Sequence, residues 1–373
     1  MSSDLICVVL AAGAGTRMHS PRPKPLHHLC GRAMVLHILD VLAELAPSRT
    51  VVVVGHGAEL VTRVLVDDGP EGLAVEFVEQ PVRRGTGDAV TTALSAFSDG
   101  DFALGGPEHE YGDDDDGGDV VVVPGDAPLL RRTTLAALVD AHRRTGAAAT
   151  LLSARMPDPH GYGRVVRSAA GGVVRIVEEL DATTEELAID EVATSVYCFR
   201  RSLLAPALRR ITPENRRGEY YLTDVIAVLA GAGHPVASMV VGDPVEAMGV
   251  NDRAQLAVAE AELRRRINRR WLAAGVTMVD PSHTYVDVGV RLAADVTLFP
   301  GTFLAGATEV GEGATIGPGS HLVDCVVGAR ATVTTTVGTG AEVGTGARVG
   351  PFATLPSGSV IPAGAVTGPF YTA

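Results

Sequence analysis

The chain has 373 residues, 46 % of them hydrophobic, with 31 basic and 44 acidic side chains and a formal net charge of −13. That length supports two domains, each with its own core, and the acidic balance excludes a nucleic-acid backbone as main partner, because phosphate neutralisation needs a basic face. No apolar run approaches the roughly 18 residues of a spanning helix, and no basic segment precedes an apolar one at the N-terminus, so no membrane is implied and a cytoplasmic location is expected.

Up to about residue 253, short β-branched runs alternate with helix-period segments. LICVVLA (5–11), TVVVVG (50–55), AVEFVE (74–79) and DVVVVPGD (119–126) read as strands, while AMVLHILDVLAELA (33–46) and GDAVTTALSAF (87–97) read as helices. Near-continuous valine implies strands buried on both faces, hence an α/β fold whose mostly parallel sheet carries helices on either side. Ligands of such a sheet gather at the carboxyl ends of its strands, where residues 10–26 and the segment GDAPLL emerge. Residues 98–119, SDGDFALGGPEHEYGDDDDGGD, have no apolar period and read as a solvated loop, and His109 between Glu108 and Glu110 makes no firm metal pattern.

Residues 254–275 read as one amphipathic helix with an arginine-rich outer face, a hinge between domains. Beyond it Val286, Leu292, Leu298, Leu304, Val310, Ile316 and Leu322 recur every six residues, and after a slip Val337, Val343, Val349, Leu355 and Ile361 repeat the step. Such a hexapeptide repeat marks a parallel β-helix of roughly four to five coils, in which each short strand turns one aliphatic inward. A prism of this kind leaves a face exposed, so self-association is expected. Cys7, Cys30, Cys198 and Cys325 are far apart without a CxxC pair and read as buried thiols rather than a disulfide framework or zinc site.

The loop LAAGAGTRMHSPRPKPL, residues 10–26, holds the chain's only lysine, Lys24. Gly13 and Gly15 allow backbone N–H groups to approach an anion. A dinucleotide is disfavoured, because Met18 stands where GxGxxG needs its third glycine, and the Walker pattern fails for want of GK[ST]. What remains is an exposed loop whose cations are spaced to surround a triphosphate, with Arg17 as a fork and Lys24 as a point charge. Asp126, just past a buried strand, reads by itself as a turn or capping aspartate. Phosphoryl-type transfer needs a divalent cation, however, and then Asp126 is a candidate ligand with Asn251 or Asp252 of GVNDR as the second.

The segments LAAGAGTRMHSPRPKPLHHLCGRAM, VEQPVRRGTGDAV, VVVPGDAPLL, DPHGYGRVVR, IVEELDAT, EYYLTDVI and GVNDRAQLA occur in the order that characterises the bacterial GlmU-type family. These are bifunctional N-acetylglucosamine-1-phosphate uridylyltransferases and glucosamine-1-phosphate acetyltransferases, and the chain resembles them over residues 5–355. The resemblance implies a Rossmann-like nucleotidyltransferase domain over 1–253, a linker helix over 254–275 and a left-handed β-helix over 276–373. It also implies Mg²⁺ dependence and a homotrimer built through the β-helix. By matched position, Leu10, Ala11, Ala12, Gly13 and Gly15 would hold the nucleotide, and Gln80, Gly85 and Thr86 would read its base. Asp126 and Asn251 would bind the metal, Gly163 and Glu178 the sugar, and Arg17 and Lys24 the triphosphate.

Three departures modify this expectation. EVATSVYCF stands where the family has an Asn-Thr-Gly-type run, so Ala193 lacks an amide for the sugar and Ser195 replaces a glycine. Arg84, beside Arg83, stands where an aliphatic residue normally precedes GTG. The family's β-helix also runs on for many more coils and carries the acetyl-transfer residues there, so no acetyltransferase activity is expected of this sequence. The expected reaction is UTP plus N-acetylglucosamine 1-phosphate giving the nucleotide sugar and pyrophosphate. The alternative is a relative specialised for another sugar or cyclitol 1-phosphate, using GTP or another triphosphate. A non-catalytic binding subunit and a dehydrogenase are weaker readings, the first because Arg17, Lys24, Asp126 and Asn251 are all present. His27 and His28 read as packing or solvent contacts, Trp271 as a domain-contact anchor, and Tyr220 and Tyr221 as either sugar-side or packing residues.

Overall fold

The computed structural model describes residues 4–96 and 118–373, so that residues 98–117 of the acidic stretch, with His109 and its flanking glutamates, lie outside the described residues. The chain divides into two compact units, one of residues 1–27 and 33–255, the other of residues 28–32 and 256–373.

The first unit is built on β1 (Leu5–Leu10), β2 (Arg49–Val54), β3 (Val75–Glu79), β4 (Asp119–Pro124), β5 (Ala149–Arg155), β6 (Arg164–Arg167), β7 (Val173–Val177), β8 (Glu191–Arg200) and β9 (Val236–Val240). The sheet order is β9-β5-β8-β4-β1-β2-β3, with β6 paired to β8 and β7. Alternate residues of the valine-rich strands feed two cores, because successive side chains point to opposite faces. Ile6, Val8, Val51 and Val122 pack on one face with Ala89, Val90 and Ala93 of helix α3, while Cys7, Val9, Val52 and Val121 pack on the other with Ile38 and Leu39 of α1 and Leu135 of α4. Here α1 is Met34–Ala43, α2 Ala58–Asp68, α3 Thr86–Leu94 and α4 Arg132–Thr145.

Strands β1 to β4 form the expected parallel core, but β8 runs antiparallel to both β4 and β5. An apolar run carries no mark of strand direction, so this reversal is not written in the local pattern. Strand β1 lies between β2 and β4. The chain order therefore reverses at β1, and the loops after β1 and β4 leave side by side, with Gly125 N–H bonded to the Leu10 carbonyl at 2.9 Å.

In the second unit, three sheets of five short parallel strands make a five-coil β-helix. The inward positions run through Leu298, Leu304, Val310, Ile316 and Leu322 as the six-residue step requires, then through Val327, Val333, Gly338 and Val343. Two coils are thus tightened, and Val337, expected inside, points outward at 53 % exposure. Gly338 takes the inward place because the Leu322 and Cys325 side chains already fill it; a Cβ there would lie 3.1 Å from Leu322 Cδ2 and 3.3 Å from Cys325 Sγ. Helix α5 (Arg253–Ala273) leads into this unit, and its buried Asn268 donates to the carbonyls of Pro281 and Thr284 at 2.7 and 2.9 Å. Trp271 packs against the β-helix core. All four cysteines are free and buried, as their spacing suggested.

Candidate active site

The loop after β1 turns twice, at Thr16–Met18 and at Lys24–Leu26. Buried Pro23 and Pro25 flank Lys24 and fix the backbone of the second turn. Gly15 has φ of 61°, and a Cβ there would sit 2.6 Å from Lys24 Cβ, so the glycine admits both the left-handed turn and the lysine stem crossing it. Among the described residues the N–H groups of Ala12, Gly13, Ala14 and Gly15 have no protein acceptor. Nothing lies within 4 Å of a Cβ placed on Gly13. The loop therefore presents a run of open donors, the arrangement that receives an anion.

The Lys24 side chain is only 12 % exposed, against the exposed loop expected. Its ammonium contacts Asp126 Oδ2 and donates to Asn251 Oδ1 at 2.9 Å. Asp126 follows β4, and its carbonyl accepts from Val250 N–H at 2.8 Å, which draws residues 250–251 to the same edge. Asp252 instead caps α5 by accepting from Gln255 N–H at 2.8 Å, so of the two GVNDR candidates Asn251 is the one that meets Asp126's partner. Arg253 Nε donates to the Met18 carbonyl at 3.1 Å and Arg253 Nη1 lies 3.3 Å from buried His27, closing the loop from below. His28 is exposed. Arg17 is exposed, and among the described residues it has no hydrogen-bond or ion-pair partner.

A second group forms after β3. Gln80 is buried, and its amide donates to the Gly85 carbonyl at 3.2 Å and to Asp88 Oδ2 at 2.7 Å. Thr86 Oγ1 accepts from Leu222 N–H at 2.9 Å, and Tyr220 N–H donates to the Arg84 carbonyl at 2.6 Å. The expected base-reading residues are thus tied to the EYYLTD segment. Tyr220 serves that tie through its backbone, and Tyr221 is buried, with burial pushing its phenol up to about 12.

The third group lies on the β6–β7 hairpin. Gly163 accepts from Ala193 N–H at 2.8 Å, and a Cβ on Gly163 would lie 3.5 Å from Glu178 Oε1. Burial pushes the Glu178 carboxyl above its ordinary range, with the Thr223 hydroxyl, 3.1 Å away, and Arg217 opposing. Tyr197, also buried, has a hydroxyl with no partner among the described residues and feels the Glu178 charge. Burial likewise raises the Tyr162 phenol, the Gly249 backbone opposing and the Asp126 charge adding, which links GYGR to the Asp126 edge. Thr223, Tyr197 and Tyr162 were missed as partners; the TD of EYYLTD and the Y of GYGR were the available signals.

Among the described residues one other set of potential ligands, Asp119, His142 and Cys198, is buried at the opposite edge of the sheet. There Arg143 Nε donates to Asp119 at 2.7 Å and His142 Nε2 lies 3.4 Å from it, so the carboxylate's charge is already met by protein.

The open N–H run lies beside a carboxylate and an amide that share one lysine, on a three-layer α/β scaffold, and residues 7–223 match the MobA-like NTP transferase domain. The chain is 46 % identical over 336 residues to the bifunctional protein GlmU of Thermobifida fusca, covering 90 % of this chain and 66 % of that relative. Against the bifunctional protein GlmU of Desulfitobacterium hafniense the identity is 42 % over 336 residues, covering 90 % and 69 %. Against that of Streptomyces coelicolor it is 45 % over 337 residues, covering 90 % and 66 %. The chain belongs to the GlmU family of nucleotidyltransferases. It spans about two thirds of the length of these curated relatives. No helix among the described residues is long and apolar enough to cross a membrane.

Proposed function

We propose that the chain transfers a nucleotidyl group from a nucleoside triphosphate to a sugar 1-phosphate with release of pyrophosphate, and that UTP and N-acetylglucosamine 1-phosphate are the favoured pair. The observation that carries this reading is the meeting of Lys24 with Asp126 and Asn251 next to the open N–H groups of residues 12–15. Leu10, Ala11, Ala12, Gly13 and Gly15 hold the nucleotide, with Gln80, Gly85 and Thr86 at its base. Arg17 and Lys24 neutralise the triphosphate, and Gly163, Glu178 and Ala193 line the sugar.

The sugar phosphate's oxygen attacks the α-phosphorus in line and pyrophosphate leaves. A phosphate monoester is already anionic near pH 7, so the chain supplies positioning and charge rather than a general base. The Asp126 and Asn251 oxygens already converge on one cation, the lysine ammonium, and an all-oxygen donor pair suits Mg²⁺. When bound there, Mg²⁺ supplies neutralisation of phosphate charge. Assembly as a homotrimer through the β-helix is part of the proposal, supported by outward Phe303 and Val337 on one sheet.

A second reading, a different sugar or cyclitol 1-phosphate with UTP, GTP or another triphosphate, is favoured by Ala193, whose methyl offers the sugar no hydrogen bond. The test is pyrophosphate release from a panel of triphosphates crossed with several sugar 1-phosphates in Mg²⁺. Turnover with UTP and N-acetylglucosamine 1-phosphate well above all other pairs supports the first reading, a different best pair the second, and none at all sinks both. Lys24→Arg is expected to lower turnover about a hundredfold, since a planar fork does not replace a compact ammonium. Near-full activity in that variant would remove the role given to Lys24.

A further inference from the structure

The two proposed metal ligands are already engaged by a positive charge. Lys24's ammonium contacts Asp126 Oδ2 and lies 2.9 Å from Asn251 Oδ1, with the lysine side chain 12 % exposed and the aspartate 27 %. We infer that Lys24 is a placeholder: it occupies the cation position while no nucleotide is bound, so that the divalent metal enters only together with the triphosphate. The inference rests on the reading of Asp126 and Asn251 as metal ligands and adds to it an order of entry.

The argument is one of shared donors. A divalent cation needs the same oxygens that now accept from the ammonium, and a half-buried pocket does not hold both charges against their repulsion. Lysine suits the exchange because its charge is compact and its stem is a flexible four-carbon chain. The stem crosses Gly15, directly beside the N–H groups of residues 12–15 that lack protein acceptors. A triphosphate received on those groups gives the ammonium a new anion within reach and frees Asp126 and Asn251 for the metal. Nucleotide and metal therefore bind with positive coupling, and each raises the affinity of the other by the same factor.

Mn²⁺ titrated into the full chain, with free ion followed by electron paramagnetic resonance, tests this without turnover. In the absence of nucleotide, Lys24→Met is expected to bind Mn²⁺ about tenfold or more tightly than the unmodified chain. The gain should vanish in Lys24→Met/Asp126→Asn, and a non-cleavable triphosphate analogue should narrow the gap between the unmodified chain and Lys24→Met. If Lys24→Met, folded by circular dichroism, binds no more tightly, the placeholder is overturned; an equal gap with and without the analogue overturns the order of entry. Because the chain has one lysine, ε-¹⁵N-lysine labelling gives one side-chain signal, expected to move on adding the analogue and to stay put if Lys24 does not leave Asp126. Pyrophosphate release is measured separately, so turnover without the Mn²⁺ gain defeats this inference alone, and the gain without turnover defeats the transferase reading alone.

Discussion

Ser195 holds φ of 60° at the bulge where β8 shifts register against β5 between Ala193 and Tyr197. The left-handed conformation crowds a Cβ against the following carbonyl, at roughly 1–2 kcal/mol for a non-glycine residue. Ser195→Gly is expected to raise stability by about 1 kcal/mol in urea melts, less the backbone entropy that glycine loses. A lower midpoint would mean that the serine is held by something other than chain connectivity. The same position shows what was legible at this scale: its departure from the family run was visible in the letters, but its strained dihedral was not. Lys24 divides likewise. Its singularity marked it, whereas its partners, 102 and 227 positions away, are brought to it only by the reversal of strand order at β1.

The element that carries the base-side group is the turn between β3 and α3, stitched to the segment before residue 223 by backbone bonds. Gly85 has φ of 114°, and a Cβ there would lie against the Tyr220 carbonyl, so no other residue fits. Gly85→Ala is expected to cost about 1–3 kcal/mol and to weaken nucleotide binding, read by calorimetric titration of the triphosphate. Unchanged affinity with a lowered melting point would confine Gly85 to stability. At the opposite edge, Asp119 anchors the start of β4 to α4. Burial opposes its ionisation, but the bonds from His142 and Arg143 win and hold the carboxyl below its ordinary range. A lowered acid contributes stability above its unfolded pKa and loses it as pH falls through the folded value. Asp119→Asn is thus expected to lose about 1–3 kcal/mol at pH 7 and progressively less below about pH 4, measured by urea midpoints across that range. A difference independent of pH would show that the carboxylate's charge does not matter there.

At the scale of the whole molecule, periodicity was the strongest signal where the architecture repeats, since a six-residue step admits few folds. It failed only at the tightened coils, where Val337 kept the sequence pattern and Gly338 took the core. Nothing local marks residues 28–32 as part of the second unit, because that membership is a tertiary contact: Cys30 N–H donates to Glu260 Oε2 at 2.8 Å. The three outer faces of the β-helix are also unlike. One presents the threonines 297, 315 and 332 in register, another mixes Arg291, Glu309 and Glu342 with valines. The remaining one stacks Tyr285, Phe303 and His321, ring centroids 5.6 and 4.8 Å apart, and continues into Val337. Phe303 and Val337 are 37 % and 53 % exposed, and a stacked aromatic and aliphatic stripe of this kind is the surface that association covers. The proposed homotrimer therefore places its contact on this face. Sedimentation equilibrium is expected to give three times the 38.6 kDa of the chain, and Phe303→Glu/Val337→Glu to give the single-chain mass. The first unit's core shares no residue with the stripe, so the dissociated variant should keep its near-native circular dichroism; a unmodified chain that sediments at 38.6 kDa at micromolar concentration would remove the trimer from the proposal.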